Sequence, residues 1–250
     1  MTKKIILSSL ATILASIFFV INDAVINFLA PLNIKFYHFV FYGLPAYISA
    51  PIYLIISGQF RSKMKATNIF IPLLRGLIFM PLPFLGFIAL SNISLPEFTT
   101  INMSMPIFAG ILSIFILKEK MNIYILISLI FGLVGILMVI QPGFKSFNIY
   151  YLVALSGAVL ITINTILVNK FNKTTSSIGY FIYGGIFIHA LSIGFFLLDP
   201  IKISFSIFLL ITMASLFINF AIFLQVFAFK LSQKFYASVS CLIYSQIFWS

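Results

Sequence analysis

Nine stretches of this chain run for about 16 to 28 residues with almost no charge in them. They lie at about 5–30, 36–57, 69–91, 98–117, 122–140, 149–168, 178–198, 203–229 and 235–250. A helix needs about 20 mostly apolar residues to cross the roughly 30 Å hydrocarbon core of a bilayer. Lipid offers backbone N–H and C=O groups no partner, so only helices or closed barrels can span it. The runs are continuously apolar and lack the period-two alternation of barrel strands. The expected fold is therefore an all-α integral membrane protein of about nine spans. Composition excludes the alternatives. The chain is 62% hydrophobic and only 8% charged, against about 25% charged residues in soluble domains. The single cysteine, Cys241, excludes a disulfide scaffold. The first run follows Lys3 and Lys4 as a secretory leader would. No small-x-small site precedes Asn22, however, and the run continues past Asp23 to Ala30, so an uncleaved first span is expected.

The basic residues give an orientation. Net charge is +11, which in a soluble chain would suggest nucleic acid. Here Lys and Arg sit between the apolar runs, as they do in cytoplasmic loops, and no nucleic-acid partner is expected. With the N-terminus inside, cytoplasmic segments hold 12 basic residues and outer segments hold three: Lys35, Lys145 and Lys202. Arg75 lies about two turns inside the third run and is read as snorkelling to the cytoplasmic surface, or else as meeting an anionic substrate.

An internal repeat is visible. Ile21-Asn22-Asp23-Ala24-Val25-Ile26-Asn27 in the first run aligns with Ile163-Asn164-Thr165-Ile166-Leu167-Val168-Asn169 in the sixth, at an offset of 142, and Gly43 then falls on Gly185. Two halves follow, 1–142 and 147–250, each of five spans in principle. Because five is odd, the second half enters from the opposite side, giving the inverted-topology repeat of many secondary transporters. The second half holds only four runs, and the last stops at Ser250 after 16 residues. The expectation is a second repeat that is incomplete at its C-terminal end, with the counterpart of span five missing.

Several short motifs then stand in a familiar order: Leu74-Arg75-Gly76 opening span three, Pro106 within span four and Leu117-Lys118-Glu119 closing it. Gly132 and Gly135 follow in span five, with Gln141-Pro142 at its end. In this order they resemble the EamA-type, ten-span branch of the drug/metabolite transporter superfamily. Within it the Asn22-Asp23 pair and the Leu-Arg-Gly opening are most similar to the S-adenosylmethionine uptake transporters of intracellular bacteria. That resemblance implies a bacterial inner-membrane location and S-adenosylmethionine or a similar cationic solute as cargo. The chain departs from the family pattern at Phe41-Tyr42-Gly43, where members often carry an arginine, and at the tenth span.

An ionisable group inside a span is costly and is a functional candidate by default. Asp23 lies about 18 residues into span one, toward the outer half of the bilayer, and could pair with a cationic substrate or carry a proton. Asn22, Asn102, Tyr244, His189 and Arg75 complete the candidate substrate-binding set. His189 is read as a neutral, hydrogen-bonded histidine with a proton-relay role as the alternative. His38 is read as interfacial, Asn164 and Thr165 as interhelical glue, Glu97 as a partner of a helix N-terminus and Glu119 as ion-paired locally with Lys118 and Lys120. Prolines 45, 51, 72, 81, 83 and 106 interrupt spans two to four, whereas spans six to nine contain none. Broken helices at membrane depth are tolerated beside protein or a wet cavity, so spans two to four should line a cavity if one exists.

The expected function is secondary transport of a small metabolite. No Walker A pattern is present, and neither cofactor nor metal is expected. The partners are a small-molecule substrate and the lipid bilayer, with a homodimer as a further expectation. An inactive transporter remnant is the alternative. A membrane-embedded transferase is more distant, because the four carboxylates are isolated in the sequence and the two histidines lie far apart.

Overall fold

The computed structural model describes residues 2–119, 123–140 and 148–249, and all of the regular structure there is helical. Lys120, the Gln141-Pro142 motif, Lys145 and Ser250 lie outside the described residues, as do the surroundings of Gly135.

Every apolar run is a helix or a pair of them. Span one is Thr2–Leu29 and span five is Ile123–Ile140. Span six is Ile149–Lys170 and span seven is Ser177–Leu198. Spans two, three and four are each broken. The breaks separate Phe36–Tyr42 from Leu44–Ile56, Phe70–Phe79 from Leu82–Leu90, and Leu95–Asn102 from Met105–Leu112. Each break stands within three residues of a proline: Pro45, Pro81 with Pro83, and Pro106. A proline has no N–H to give to the carbonyl four residues back and crowds that turn. Span four closes on a π turn, Ser113–Leu117. Span eight, Phe205–Ser232, runs through a three-residue turn into span nine, formed by Tyr236–Ser240 and a 3-10 stretch, Cys241–Phe248. Gln233, at φ 47°, ends span eight. By length and composition, seven of these helical segments suffice to cross a membrane, the segment Phe205–Gln246 being 42 residues long and containing two of the apolar runs. The protein is an all-α multi-pass membrane protein.

Polar side chains start several helices. Ser94, Asn148, Ser176 and Ser204 each accept a backbone N–H from the first turn that follows. Ser94 and Glu97 form a capping box, which gives Glu97 its helix-terminal role. Glu97 also accepts a 2.7 Å bond from the Tyr151 hydroxyl.

The loops gather at two ends. At one, Thr67 N–H donates to the Thr174 carbonyl (2.9 Å), Ser176 Oγ to that of Lys63 (2.6 Å) and Tyr183 to that of Met64 (3.0 Å), while Lys230 reaches the Thr175 carbonyl. At the other, Lys35 pairs with Asp199 at 2.7 Å, and the Tyr37 hydroxyl donates to the same carboxylate oxygen. His38 is buried there, near the span end as its position suggested. Its Nδ1 accepts from the Lys35 N–H (3.1 Å), so its Nε2 carries the proton and donates to the Asp199 carbonyl (2.7 Å). Lys35 holds the Asp199 carboxyl below its usual range, and Asp199 raises Lys35 in turn.

Glu119 has a tertiary role beyond local pairing with its lysine neighbours, of which Lys120 lies outside the described residues. Its carboxylate accepts the backbone N–H groups of Tyr236 (3.1 Å) and Ala237 (3.3 Å), fastening the end of span four to the start of span nine. Burial pushes this carboxyl above its ordinary value.

The packing pairs exchange under the repeat offset. Span one packs on eight and six on three; one on nine and six on four; two on eight and seven on three. The repeat asparagines behave alike. Asn27 donates to the carbonyl of Leu90, the last residue of span three, at 3.0 Å. Asn169, its partner at offset 142, donates to Phe229 O (2.9 Å), Ser232 Oγ (3.0 Å) and Gln233 O (3.0 Å), at the end of span eight. Leu90 and Ser232 are themselves 142 residues apart.

Candidate functional site

A cavity of about 210 Å³ lies between spans one to four and six to nine. Its wall is mostly Phe, Ile, Leu and Gly, as lipid-embedded packing dictates. The broken spans supply much of it: Val40, Gly43 and Tyr47 from two, Arg75, Phe79 and Pro83 from three, and Phe98, Asn102 and Met105 from four. The expectation that the proline-bearing spans would border a cavity is met.

Five of the six candidate residues line this wall: Asn22, Asp23, Arg75, Asn102 and His189. Tyr244 is not among the lining residues. A Cβ at Gly132 would run into its hydroxyl, so Tyr244 fills the space that span five leaves, and among the described residues the buried hydroxyl has no hydrogen-bond partner. Gln246 faces the cavity from span nine in its stead.

Asp23 and Asn22 sit side by side on span one. Asn22 Nδ2 donates to Asp23 Oδ1 at 3.3 Å, while Asn22 Oδ1 is buried with no partner. Among the described residues, no basic side chain lies within ion-pair distance of Asp23. Arg75 stands on span three. It is 2% exposed and does not snorkel. Its Nη1 donates to the Tyr180 carbonyl at 2.6 Å, and its guanidinium lies 6.0 and 5.9 Å from the ring centres of Phe79 and Tyr180. Gly184 opens the space it occupies, since a Cβ there would meet Nη1 at 2.5 Å. Asn164 fixes the backbone beneath by donating to the Arg75 carbonyl at 2.9 Å. Thr165 bonds the Tyr236 hydroxyl at 2.8 Å, so both residues tie helices together as expected. Among the described residues the Arg75 Nε has no partner.

His189 stacks on Tyr47 with ring centres 3.9 Å apart and planes 13° from parallel. Its Nδ1 meets the Gly185 carbonyl at 2.7 Å. A carbonyl can only accept, so Nδ1 carries a proton and donates it. Tyr47, Asn219 and Gln225 also line the cavity. The two amides are isolated polar residues in span eight, which was the available signal. Tyr47 gave none, because its role depends on stacking against a residue 142 positions away.

No cluster among the described residues could hold a metal ion. What the site offers is a mostly apolar wall that carries a few polar and charged groups. The family comparison agrees with that character. Residues 2–141 match the model of the EamA-like transporter family, which is more than half of the chain. The chain belongs to the EamA-like transporter family. No curated protein matches the sequence closely enough to add a relative. Membership makes this EamA-like protein a membrane transporter of small solutes, in keeping with a cavity sunk among its helices.

Proposed function

We propose that this EamA-like protein is a secondary transporter whose cargo is a small cationic metabolite, S-adenosylmethionine being the leading candidate. The observation that carries the reading is Asp23. It is a carboxylate on the wall of an intramembrane cavity with an amide beside it and no basic partner among the described residues. Such a group is expensive at membrane depth unless something pairs with it, and a cationic solute supplies the missing charge. The naming of S-adenosylmethionine rests on the resemblance of the Asn22-Asp23 and Leu74-Arg75-Gly76 motifs and on its sulfonium charge.

Two repeats of opposite topology, five spans in 1–142 and four in 147–250, provide the frame in this reading. Its support is the exchange of packing pairs and the equivalent tethers made by Asn27 and Asn169. The basic loops favour a cytoplasmic N-terminus in a bacterial inner membrane. Transport then runs on an ion gradient or by exchange against another solute.

The test is uptake of labelled S-adenosylmethionine into proteoliposomes. Saturable accumulation is expected in the wild type and a loss of at least tenfold in Asp23→Asn. Accumulation unchanged in that variant removes Asp23 from the substrate path. No accumulation in the wild type removes this cargo.

A further inference from the structure

The cavity carries opposite charges that do not meet. Span one offers acceptors: the Asp23 carboxylate and the buried, unpartnered Oδ1 of Asn22. Span three, backed by span seven, offers a donor: the Arg75 guanidinium, 2% exposed, with an unpartnered Nε. Among the described residues no ion pair joins Asp23 to Arg75, and none joins Arg75 to another carboxylate.

A purely structural arginine would not be left in this state. A guanidinium has five N–H donors in a planar fork suited to two-point contact with a carboxylate. Here one nitrogen meets a backbone carbonyl and two aromatic rings flank the guanidinium at about 6 Å, and none of these supplies an anion. Burying a cation without an anion is unfavourable, and the same holds for Asp23 without a cation. A purely cationic solute relieves one wall and leaves Arg75 uncompensated. A purely anionic one does the reverse and is repelled by Asp23. A solute with both charges relieves both walls and leaves the cavity no more charged than before.

We infer that the cavity takes its cargo as a zwitterion, with a cationic group against Asp23 and Asn22 and a carboxylate on Arg75. This rests on the transporter reading and narrows it. It adds an anion subsite to the cation site and makes Arg75 a substrate-binding residue.

The experiment measures binding to the purified protein in lipid nanodiscs by thermal stabilisation, and so does not depend on uptake of S-adenosylmethionine. Two zwitterions of different charge spacing, L-methionine and 6-aminohexanoate, are each compared with single-charge analogues. These are 3-(methylthio)propylamine and 4-(methylthio)butanoate for the first, and hexylamine and hexanoate for the second. At least one zwitterion is expected to bind roughly tenfold or more tightly than both of its analogues, the scale of one desolvated charge contact. In Arg75→Gln the zwitterion and its amine should bind alike, with Arg75→Lys between. The unliganded melting temperature of each variant reports whether it folds. Amines that bind the wild type as well as their zwitterions overturn the proposal while leaving a cation transporter standing. Failure of all six probes also overturns it. A zwitterion preference with no S-adenosylmethionine uptake upholds the proposal and rejects only that cargo.

Discussion

Replacing Asn169 tests the repeat and the energetics of its tethers together. Its side-chain nitrogen has two hydrogens and faces three acceptors within 3.0 Å: Phe229 O, Ser232 Oγ and Gln233 O. Two full hydrogen bonds can therefore exist at once. Interhelical polar contacts in membrane proteins average about 0.6 kcal/mol and reach about 1.7, so Asn169→Ala should cost about 1–3 kcal/mol. Asn27 makes the equivalent tether with a single bond to the Leu90 carbonyl, so Asn27→Ala should cost about 0.6 kcal/mol. Asn169→Asp keeps the shape but turns the donor into an acceptor facing acceptors. It should be worse than Asn169→Ala, because it adds repulsion to loss. Reversible unfolding in mild detergent, read as the change in midpoint, ranks the three. An Asn27→Ala penalty equal to or above that of Asn169→Ala would refute the hydrogen-bond arithmetic. A neutral Asn169→Asp would refute the donor role itself.

Three further outcomes are expected. Asp199 is depressed by Lys35 and Tyr37, so the native contact favours its ionised form. The stabilisation is present above the ordinary carboxylate value of 3.8 and fades as pH falls through the lower native value. The melting-temperature gap between wild type and Asp199→Asn should therefore close in acid. Both partners face water, so the gap should be small and shrink in high salt. Glu119→Ala leaves the N–H groups of Tyr236 and Ala237 without their acceptor and should cost about 1–3 kcal/mol in the same unfolding assay, whereas Glu119→Asp should recover part. At Gly43 an added Cβ would collide with Ser215 Oγ. Gly43→Ala should thus lower stability by about 1–3 kcal/mol, and Ser215→Gly in the same chain should restore most of it. An additive double variant would contradict this.

The span pattern was legible because the bilayer leaves so little choice. The helix ends agree with the apolar runs to within about four residues, even where span eight turns directly into span nine at Gln233. Asn22, Asp23, Asn102 and His189 were legible for the same reason, as polar groups with nowhere to hide. Arg75 was visible as a residue but not as a state. Two turns inside a helix, an arginine can reach the surface or stay within, and the choice lies with the Tyr180 carbonyl and the gap at Gly184, both more than 100 positions away. Tyr244 looked like a site residue because a hydroxyl on an apolar helix looks the same whether it faces a cavity or Gly132. The network of Lys35, Tyr37, His38 and Asp199 was not legible, because loop residues carry no periodicity to say which other loop they face.

The proline breaks have a mechanical consequence. Spans two, three and four are each jointed, with a break near Gly43, Met80 and Met103. Spans seven and eight, at the repeat offset from two and three, are unbroken struts of 22 and 28 residues. Helices with similar packing thus have different compliance. A load shared equally across the cavity bends spans two to four at their joints, while spans seven and eight move as levers. The cargo's path is set by the half that yields, and that half carries both Asp23 and Arg75.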